Sequence, residues 1–281
     1  MIDLHTHTTA SDGTYTPQEL VDAALRLGLE ALAITDHDTF EGYDLARPDA
    51  EAGGLRLLCG IEVSTRLPRP GRGRAKSVHL LGYFADGPQP RFRDWVATQQ
   101  RIRHERNVAL AERLRELGLD ITLDEVRRIG RTMTGRPHFA RALLQKGYVS
   151  TLQEAFDRYL DVHGTAYVEK HDPGLEEAVA EILSGGGVPS LAHPVRVGLD
   201  PAEEQTLMSR LAGIGLGAIE VLHSDHSALR QSTYQSLAER NRLKVTGGSD
   251  FHGGNKPDVS LGTGRGGNVS VPAELLHRLF D

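Results

Sequence analysis

Short runs of alternating apolar and polar residues are separated by stretches with an apolar residue every third or fourth position, and the two periods take turns along most of the chain. The first period reads as strand and the second as amphipathic helix. Met1–His7 is a first strand. Thr16-Pro17-Gln18-Glu19 then supplies an N-cap, a proline at the first helical position and a capping-box glutamate. The helix that follows runs through Leu20, Val21, Ala24 and Leu25 and stops at Gly28. Strands come next at Ala31–Thr35, leading to Asp36 and His37, at Leu55–Cys59, reaching Glu62, and at Ser77–Phe84, carrying His79. Later, helices near Leu175–Leu183, Ala202–Ala212 and Leu229–Arg240 alternate with strands Val188–His193, Ala218–His223 and Lys244–His252. A helix at Ala273–Phe280 ends the pattern. Such alternation calls for parallel βα units, and seven of them fit an α/β (β/α)7 barrel better than an open sheet.

The rhythm breaks between Gly87 and Asp172, where helices are expected at Trp95–Leu117, Leu123–Ile129, His138–Lys146 and Leu152–Leu160. The expected division is therefore a barrel from 1–86 and 173–281, with 87–172 as a helical insertion over the C-terminal face. Phe92 and Trp95 read as core residues of its first helix. Arg66–Lys76, rich in arginine, proline and glycine, reads as a mobile loop between two strands.

Chemistry concentrates at the strand ends, where parallel barrels carry their functional groups. His5 and His7, two apart on a strand, share a side, and so do Asp250 and His252. Closing the barrel makes the first and last strands neighbours and sets these pairs side by side. Other strand ends supply His37, Glu62, His79, His193 and His223, and the first βα loop supplies Asp12. In Cys59–Ser64, Ile61 and Val63 share the face toward the helices, which leaves Glu62 facing inward and makes Cys59 a packing residue. Pro194 ends the strand at His193. Any one of these histidines alone reads as an ordinary hydrogen-bonded residue. Gathered in a cleft without cations, the set would leave buried charges unpaired, at about 3–5 kcal/mol each. Cations remove that cost. All the donors are nitrogen or oxygen, which suits Mn²⁺, Fe²⁺ or Zn²⁺. There is room for two or three divalent ions, and against three carboxylates they leave a positive pocket suited to an anionic oxygen substrate such as phosphate.

Composition changes this picture little. The 281 residues suffice for one large barrel, and more than half of the 13 histidines lie at or just past strand ends. A formal charge of −6 and a pI near 6.1 give no basic field for nucleic acid or membrane, and no DNA-binding module is expected. The lone Cys59 excludes an internal disulfide and fits a reducing cytosol. No export signal or membrane-spanning run is expected, so the expectation is a cytoplasmic protein, with a monomer as its oligomeric state.

At His5-Thr6-His7, Thr35-Asp36-His37, Gly60-Ile61-Glu62, His79, Ala192-His193-Pro194 and Ser249-Asp250-Phe251-His252, the chain resembles the PHP (polymerase and histidinol phosphatase) family over its whole length. Within that family, Asp3–Thr8, Ser11–Thr14 and Gly135–Arg141 are most similar to the 3',5'-nucleoside bisphosphate phosphatases, whose branch also trims short RNA from the 5' end. The resemblance implies a distorted barrel of the PHP type. It implies His5, His7 and Asp250 on one metal ion, and Asp12, His37 and His252 on a second. His79 and His193 would hold a third, with Glu62 bridging the first and third, and Mn²⁺ is the metal expected. It casts Asp12, His37, Glu62, His193, Asp250 and His252 as catalytic. His223 matches no family position and is read as acting behind the ligands.

The implied reaction is metal-assisted phosphomonoester hydrolysis with water, not a side chain, as nucleophile. No Gly-x-Ser-x-Gly elbow and no P-loop lysine motif is present. The expected substrate is a nucleoside 3',5'-bisphosphate losing its 3'-phosphate, or a short RNA trimmed from the 5' end. Two alternatives stay open: histidinol phosphate or another small phosphate ester as substrate, and a non-catalytic metal-binding module. The full donor set argues against the second. Substrate anchors are expected from the insertion, where Arg103 and Arg106, with Arg136, could give bidentate phosphate contacts. His138 and His226 are further candidates. Any single arginine in Arg101–Arg115 reads better as part of a solvated helix face, and Arg136, between Gly135 and Pro137, is the strongest choice.

Overall fold

A computed structural model describes residues 1–69, 75–130, 134–169 and 171–281. Seven strands pair in sequence order: β1 (Ile2–Asp3), β2 (Ala31–Ile34), β3 (Arg56–Leu67), β4 (Lys76–Phe84), β5 (Val188–Leu191), β6 (Ala218–His223) and β7 (Lys244–Gly248). Backbone bonds past the short first strand bring the ends of the sheet together. Leu4 N–H donates to Gly247 O at 3.2 Å, Asp250 N–H to His5 O at 2.8 Å and His7 N–H to Phe251 O at 2.9 Å. The approach needs glycine, since a Cβ on Gly248 would lie 2.3 Å from His5 N. The result is a nearly closed seven-stranded α/β barrel.

Helices α1 (Pro17–Arg26) and α2 (Glu41–Gly53) follow β1 and β2, and Thr16 and Glu19 form the expected capping box on α1. After β4 come α3 (Pro90–Glu116), α4 (Leu123–Gly130), α5 (Arg136–Gln145), α6 (Leu152–Ala155) and α7 (Leu175–Ser184). Helices α8 (Pro201–Gly213), α9 (Ala228–Asn241) and α10 (Glu274–Phe280) complete the set, with a small ribbon of β8 (Val259–Ser260) and β9 (Gly264–Arg265) before α10.

Seven parallel βα units do not form. Among the described residues no helix lies between β3 and β4, and β4 runs antiparallel to both neighbours. The hairpin pairs Ser64 with His79, so His79 lies near the start of its strand yet reaches the same rim as the ends of β3 and β5. β3 and β4 extend into the expected Arg66–Lys76 loop, whose residues 70–74 lie outside the described residues. Helix α2, which contains Pro48, was not expected.

Strand alternation builds two packed layers. Ile2, Leu4, Ala31, Ala33, Leu58, Leu81, Tyr83 and Ala192 share one buried cluster. Their strand neighbours Leu32 and Ile34 pack with α1 and α2, while Cys59, Ile61, Val63, Leu80 and Phe84 pack with α7 and the start of α3. Glu62 and His79 follow the phase of Leu58 and Leu81.

The chain divides into two compact units, Met1–Val96 with Asp172–Asp281, and Ala97–His171. The first runs on to Val96 instead of ending at residue 86, because Phe92 and Val96 are buried with Phe84 and Ile182. The second has its own core of Leu110, Leu114, Ile121, Val126, Phe139, Leu143 and Leu160. No helix among the described residues is long and apolar enough to cross a membrane.

Candidate metal centre

Closure of the sheet sets His5 and His7, just past β1, against the segment after β7. The His7 and His252 ring centroids are 4.0 Å apart, and those of His5 and His7 5.2 Å. Asp3, fully buried, clamps the junction by accepting from His5 N–H at 3.2 Å, Ser249 N–H at 2.9 Å, Gly262 N–H at 2.8 Å and the Ser249 hydroxyl. Asp250 and His193 both sit at positive φ, +57° and +24°, a costly backbone conformation that persists only where the surroundings enforce it.

Glu62 stands at the middle, 1 % exposed. Its Oε1 is 2.8 Å from both His79 Nδ1 and His193 Nε2. Its Oε2 is 3.2 Å from His5 Nε2, 3.1 Å from His7 Nε2 and 3.3 Å from His37 Nδ1. Asp250 divides its oxygens in the same way. Oδ1 is 3.3 Å from His7 Nε2 and 3.6 Å from His5 Nε2, whereas Oδ2 meets Arg196 at 2.8 Å, Lys256 at 2.6 Å and His223 at 3.3 Å. A further group lies at the first βα loop. Asp12 Oδ1 is 3.3 Å from His252 Nε2 and 3.5 Å from His7 Nδ1, and Asp12 Oδ2 is 3.8 Å from His37 Nε2. Among the imidazole and carboxylate donors Asp12 and His79 are the most exposed, at 36 % and 27 % of the side chain, and mark the side open to solvent.

The donors fit divalent cations on their own chemistry. His5 Nε2, His7 Nε2 and His37 Nδ1 are buried without a hydrogen-bond partner, and all three approach the same Glu62 oxygen. Orphaned buried nitrogens are costly, and cations beside Glu62 would satisfy them, one shared with His5 and His7 and another with His37. Among the described residues, four groups of mutually close donors could hold an ion: His5, His7, Glu62 and Asp250; His7, Asp12, His37 and His252; His37, Glu62 and His79; and His5, Glu220 and His223. His7 and His37 each belong to two of them. The His252 Nδ1–H donates to Asp250 O at 2.8 Å, leaving Nε2 for the Asp12 side.

Charge on these groups follows from burial and proximity. Burial opposes ionisation of Glu62, but the His37, His5 and His79 rings outweigh it and hold its carboxyl well below the usual range. Asp250 is likewise lowered by His5, His223 and His7 against its burial. Burial lowers His7, yet Asp250, Glu62 and Asp12 raise it to about 9. For His37 and His193 burial prevails, at about 4 and about 3. These two rings are neutral at pH 7, the form that binds a cation.

The expected substrate anchors fall in both units. Arg103, Arg106, Arg136 and His138 all belong to the helical unit. Arg106 is buried, and Arg136 Nη1 lies 3.9 Å from Asp161 Oδ1. His138 Nδ1 accepts from Gly135 N–H at 3.0 Å and so caps α5. His226 is not placed as a substrate contact. It is 1 % exposed, its Nδ1–H donates to Val221 O at 2.8 Å, and its ring packs against His223 and Tyr234. A ring so buried meets no dissolved phosphate without rearrangement.

Several residues of the site were not anticipated. Glu220 Oε1 takes His5 Nδ1 at 2.8 Å and its Oε2 takes His193 N–H at 2.7 Å. Asp36 accepts from the Thr8 amide and from the Thr8 and Ser11 hydroxyls, and so shapes the loop that carries Asp12. Arg196 and Lys256 flank Asp250. Glu220 was legible, since Ile219-Glu220-Val221 repeats the triplet Ile61-Glu62-Val63. His223 spends Nδ1 on the Asp225 amide and Nε2 on Asp250, so it acts through Asp250.

Comparison with known proteins agrees with the geometry. The PHP domain family model matches residues 3–173. A 5'-3' exoribonuclease of Haemophilus influenzae is 32 % identical over 250 residues, 89 % of each chain. A phosphoribosyl 1,2-cyclic phosphate 1,2-diphosphodiesterase of Eggerthella lenta is 33 % identical over 92 % of this chain and 97 % of its own. A 3',5'-nucleoside bisphosphate phosphatase of Chromobacterium violaceum is 32 % identical over 89 % of this chain and 87 % of its own. A solved structure from Bifidobacterium adolescentis, assigned as a metal-dependent phosphoesterase, superposes with a TM-score of 0.75 at 32 % identity, covering 99 % of this chain and 94 % of that one. The fold and the donor cluster define a metal-dependent phosphoesterase, an enzyme that acts on ester bonds. The chain belongs to the PHP domain family.

Proposed function

We propose that this enzyme removes the 3'-phosphate from nucleoside 3',5'-bisphosphates and, with the same site, trims short RNA from its 5' end. The observation that carries the reading is the arrangement about Glu62. One oxygen faces His79 and His193, the other faces three imidazole nitrogens, and those three have no hydrogen-bond partner. His5, His7, Asp12, His37, Glu62, His79, His193, Asp250 and His252 would hold two or three divalent ions, with Mn²⁺ foremost and Fe²⁺ or Zn²⁺ as alternatives. When bound, such ions supply Lewis-acid stabilisation of phosphoryl oxygens and acidify water near neutral pH.

The chain's own groups do the rest. Arg196 and Lys256 balance Asp250 Oδ2, which leaves Oδ1 directed at the imidazoles. Asp12 and His79 line the open side, where an ester would enter. Asp12, His37, Glu62, His193, Asp250 and His252 are the residues we hold responsible for catalysis. Among relatives that cover about nine-tenths of the chain, one is named for a bisphosphate nucleotide, three for RNA and one for a phosphoribosyl cyclic phosphate, and the first four support a nucleotide substrate. The proposed role of Arg136 and His138 in holding substrate phosphate rests on the Gly135–Arg141 motif, and that of Arg103 and Arg106 on their spacing of three along a helix.

Phosphate release from the Mn²⁺-loaded protein tests the reading. Adenosine 3',5'-bisphosphate should be hydrolysed with the highest kcat/KM and a short 5'-phosphorylated RNA detectably. 5'-AMP, histidinol phosphate and a phosphoribosyl 1,2-cyclic phosphate should be poor substrates. Preference for any of these three would overturn the assignment.

A further inference from the structure

Glu220 lies behind the metal-ligand candidates, fully buried, and both of its oxygens are engaged by N–H groups, one just past β1 and one just past β5. We propose that Glu220 is a positioning residue: it fixes His5 as the tautomer with its proton on Nδ1 and locks the backbone at His193, so that a single carboxylate aligns ligands on both sides of Glu62. The inference rests on the metal site assigned above.

Its geometry is specific. Glu220 Oε1 is 2.8 Å from His5 Nδ1, and the other nitrogen of that ring is the orphaned Nε2, 3.2 Å from Glu62 Oε2. A carboxylate that accepts from Nδ1–H leaves the Nε2 lone pair available and makes the ring a stronger donor. Glu220 Oε2 is 2.7 Å from the amide of His193, whose φ is +24° and whose Nε2 is 2.8 Å from Glu62 Oε1. The two arms of Glu220 therefore end on opposite oxygens of Glu62. Strand β6 is built for this, because the ladder to β7 shifts register between Glu220 and Leu222. Without a bulge, Glu220 and His223, three apart, would face opposite sides of the sheet, and the bulge lets both turn inward.

The alternative use of these atoms is a cation held directly by Glu220, His5 and His223, which are close enough to share one. It conflicts with the hydrogen bonds already made, since His223 spends both nitrogens on Asp225 N–H and Asp250.

The test uses the full-length protein with Glu220→Gln, which keeps the shape and offers one acceptor oxygen, and Glu220→Asp, too short to reach both partners. Chelator competition should give Mn²⁺ affinity about tenfold to a hundredfold weaker in each variant, with the circular dichroism of the metal-free protein unchanged. Wild-type affinity in either variant would overturn the proposal. A second measurement does not depend on any variant folding. Nitrogen-15 imidazole NMR of the Zn²⁺-loaded wild type should show His5 protonated at Nδ1, with a slowly exchanging N–H, and finding Nδ1 bare would overturn it equally. Wild-type protein that binds no metal would instead sink the assignment of the site itself, so the two failures are distinguishable.

Discussion

Glu62 Oε2 lies 3.1 Å from His7 Nε2, and the ring nitrogen makes no hydrogen bond. The same oxygen meets His5 Nε2 at 3.2 Å and His37 Nδ1 at 3.3 Å, with neither nitrogen bonded. Three buried donors and one carboxylate thus converge from the segment after β1, from β3 and from the turn after β2 without resolving their polarity among themselves. Cations shared between Glu62 and these rings resolve it.

Removing the shared carboxylate should therefore disable the centre. Glu62→Gln keeps the volume and deletes the charge. We expect kcat to fall on the order of a thousandfold, about 4 kcal/mol of lost stabilisation, together with fewer metal ions bound per chain. Steady-state kinetics and elemental analysis check this.

Stripping metal should destabilise the fold, because ions that bind only the folded state stabilise it by mass action. An ion present at a hundred times its Kd contributes about 2.7 kcal/mol. Chelation should lower Tm by roughly 5–10 °C, and Mn²⁺ should restore it. Calorimetric melts before and after dialysis against chelator measure the change.

Metal affinity should rise with pH. Burial lowers His7, but Asp250, Glu62 and Asp12 raise it to about 9, so near neutral pH the metal-free ring keeps its proton. Binding a cation displaces that proton, and affinity should climb until about pH 9 and then level off. The metal-free fold follows the opposite course: stability from the raised pKa is present below about pH 6.5 and is lost as pH rises through about 9. Mn²⁺ titrations in buffers of different ionisation heat report the proton released, and a pH-independent affinity across this window would contradict the account.

The sequence revealed some of this site and hid the rest for definite physical reasons. Strand phase alone turned Glu62 inward, because Ile61 and Val63 demanded the helix side. The identical triplet around Glu220 carried the same information, but a bulge put His223 on Glu220's side and confused the phase of β6. His79 was found for the wrong geometric reason. Alternation has no direction, so it could not tell that β4 runs antiparallel and presents the start of the strand at the rim. Helix α2 escaped because Pro48 interrupts its pattern. Arg196 and Lys256 reach Asp250 from segments with no periodic signal.

Asp3 holds the seam of the barrel. Asp3→Asn replaces one acceptor oxygen with a donor facing amide and hydroxyl donors from His5, Ser249 and Gly262. The expected cost is about 1–3 kcal/mol, seen as a Tm lower by roughly 2–10 °C. Because His5 and Asp250 flank the clamp, metal affinity should weaken in parallel.

Arg136 separates binding from structure. If it holds a substrate phosphate, Arg136→Ala should raise KM about tenfold or more with kcat little changed. If it serves only Asp161, 3.9 Å away, the variant should lose thermal stability and keep its KM.

The most direct measurement is a crystal structure of the protein grown with Mn²⁺, with anomalous scattering collected to place the ions. The account predicts peaks within about 2.0–2.4 Å of His5 Nε2, His7 Nε2 and His37 Nδ1, with Glu62 spanning two of them. Crystals that diffract well, yet show no anomalous peak among these donors, would contradict it.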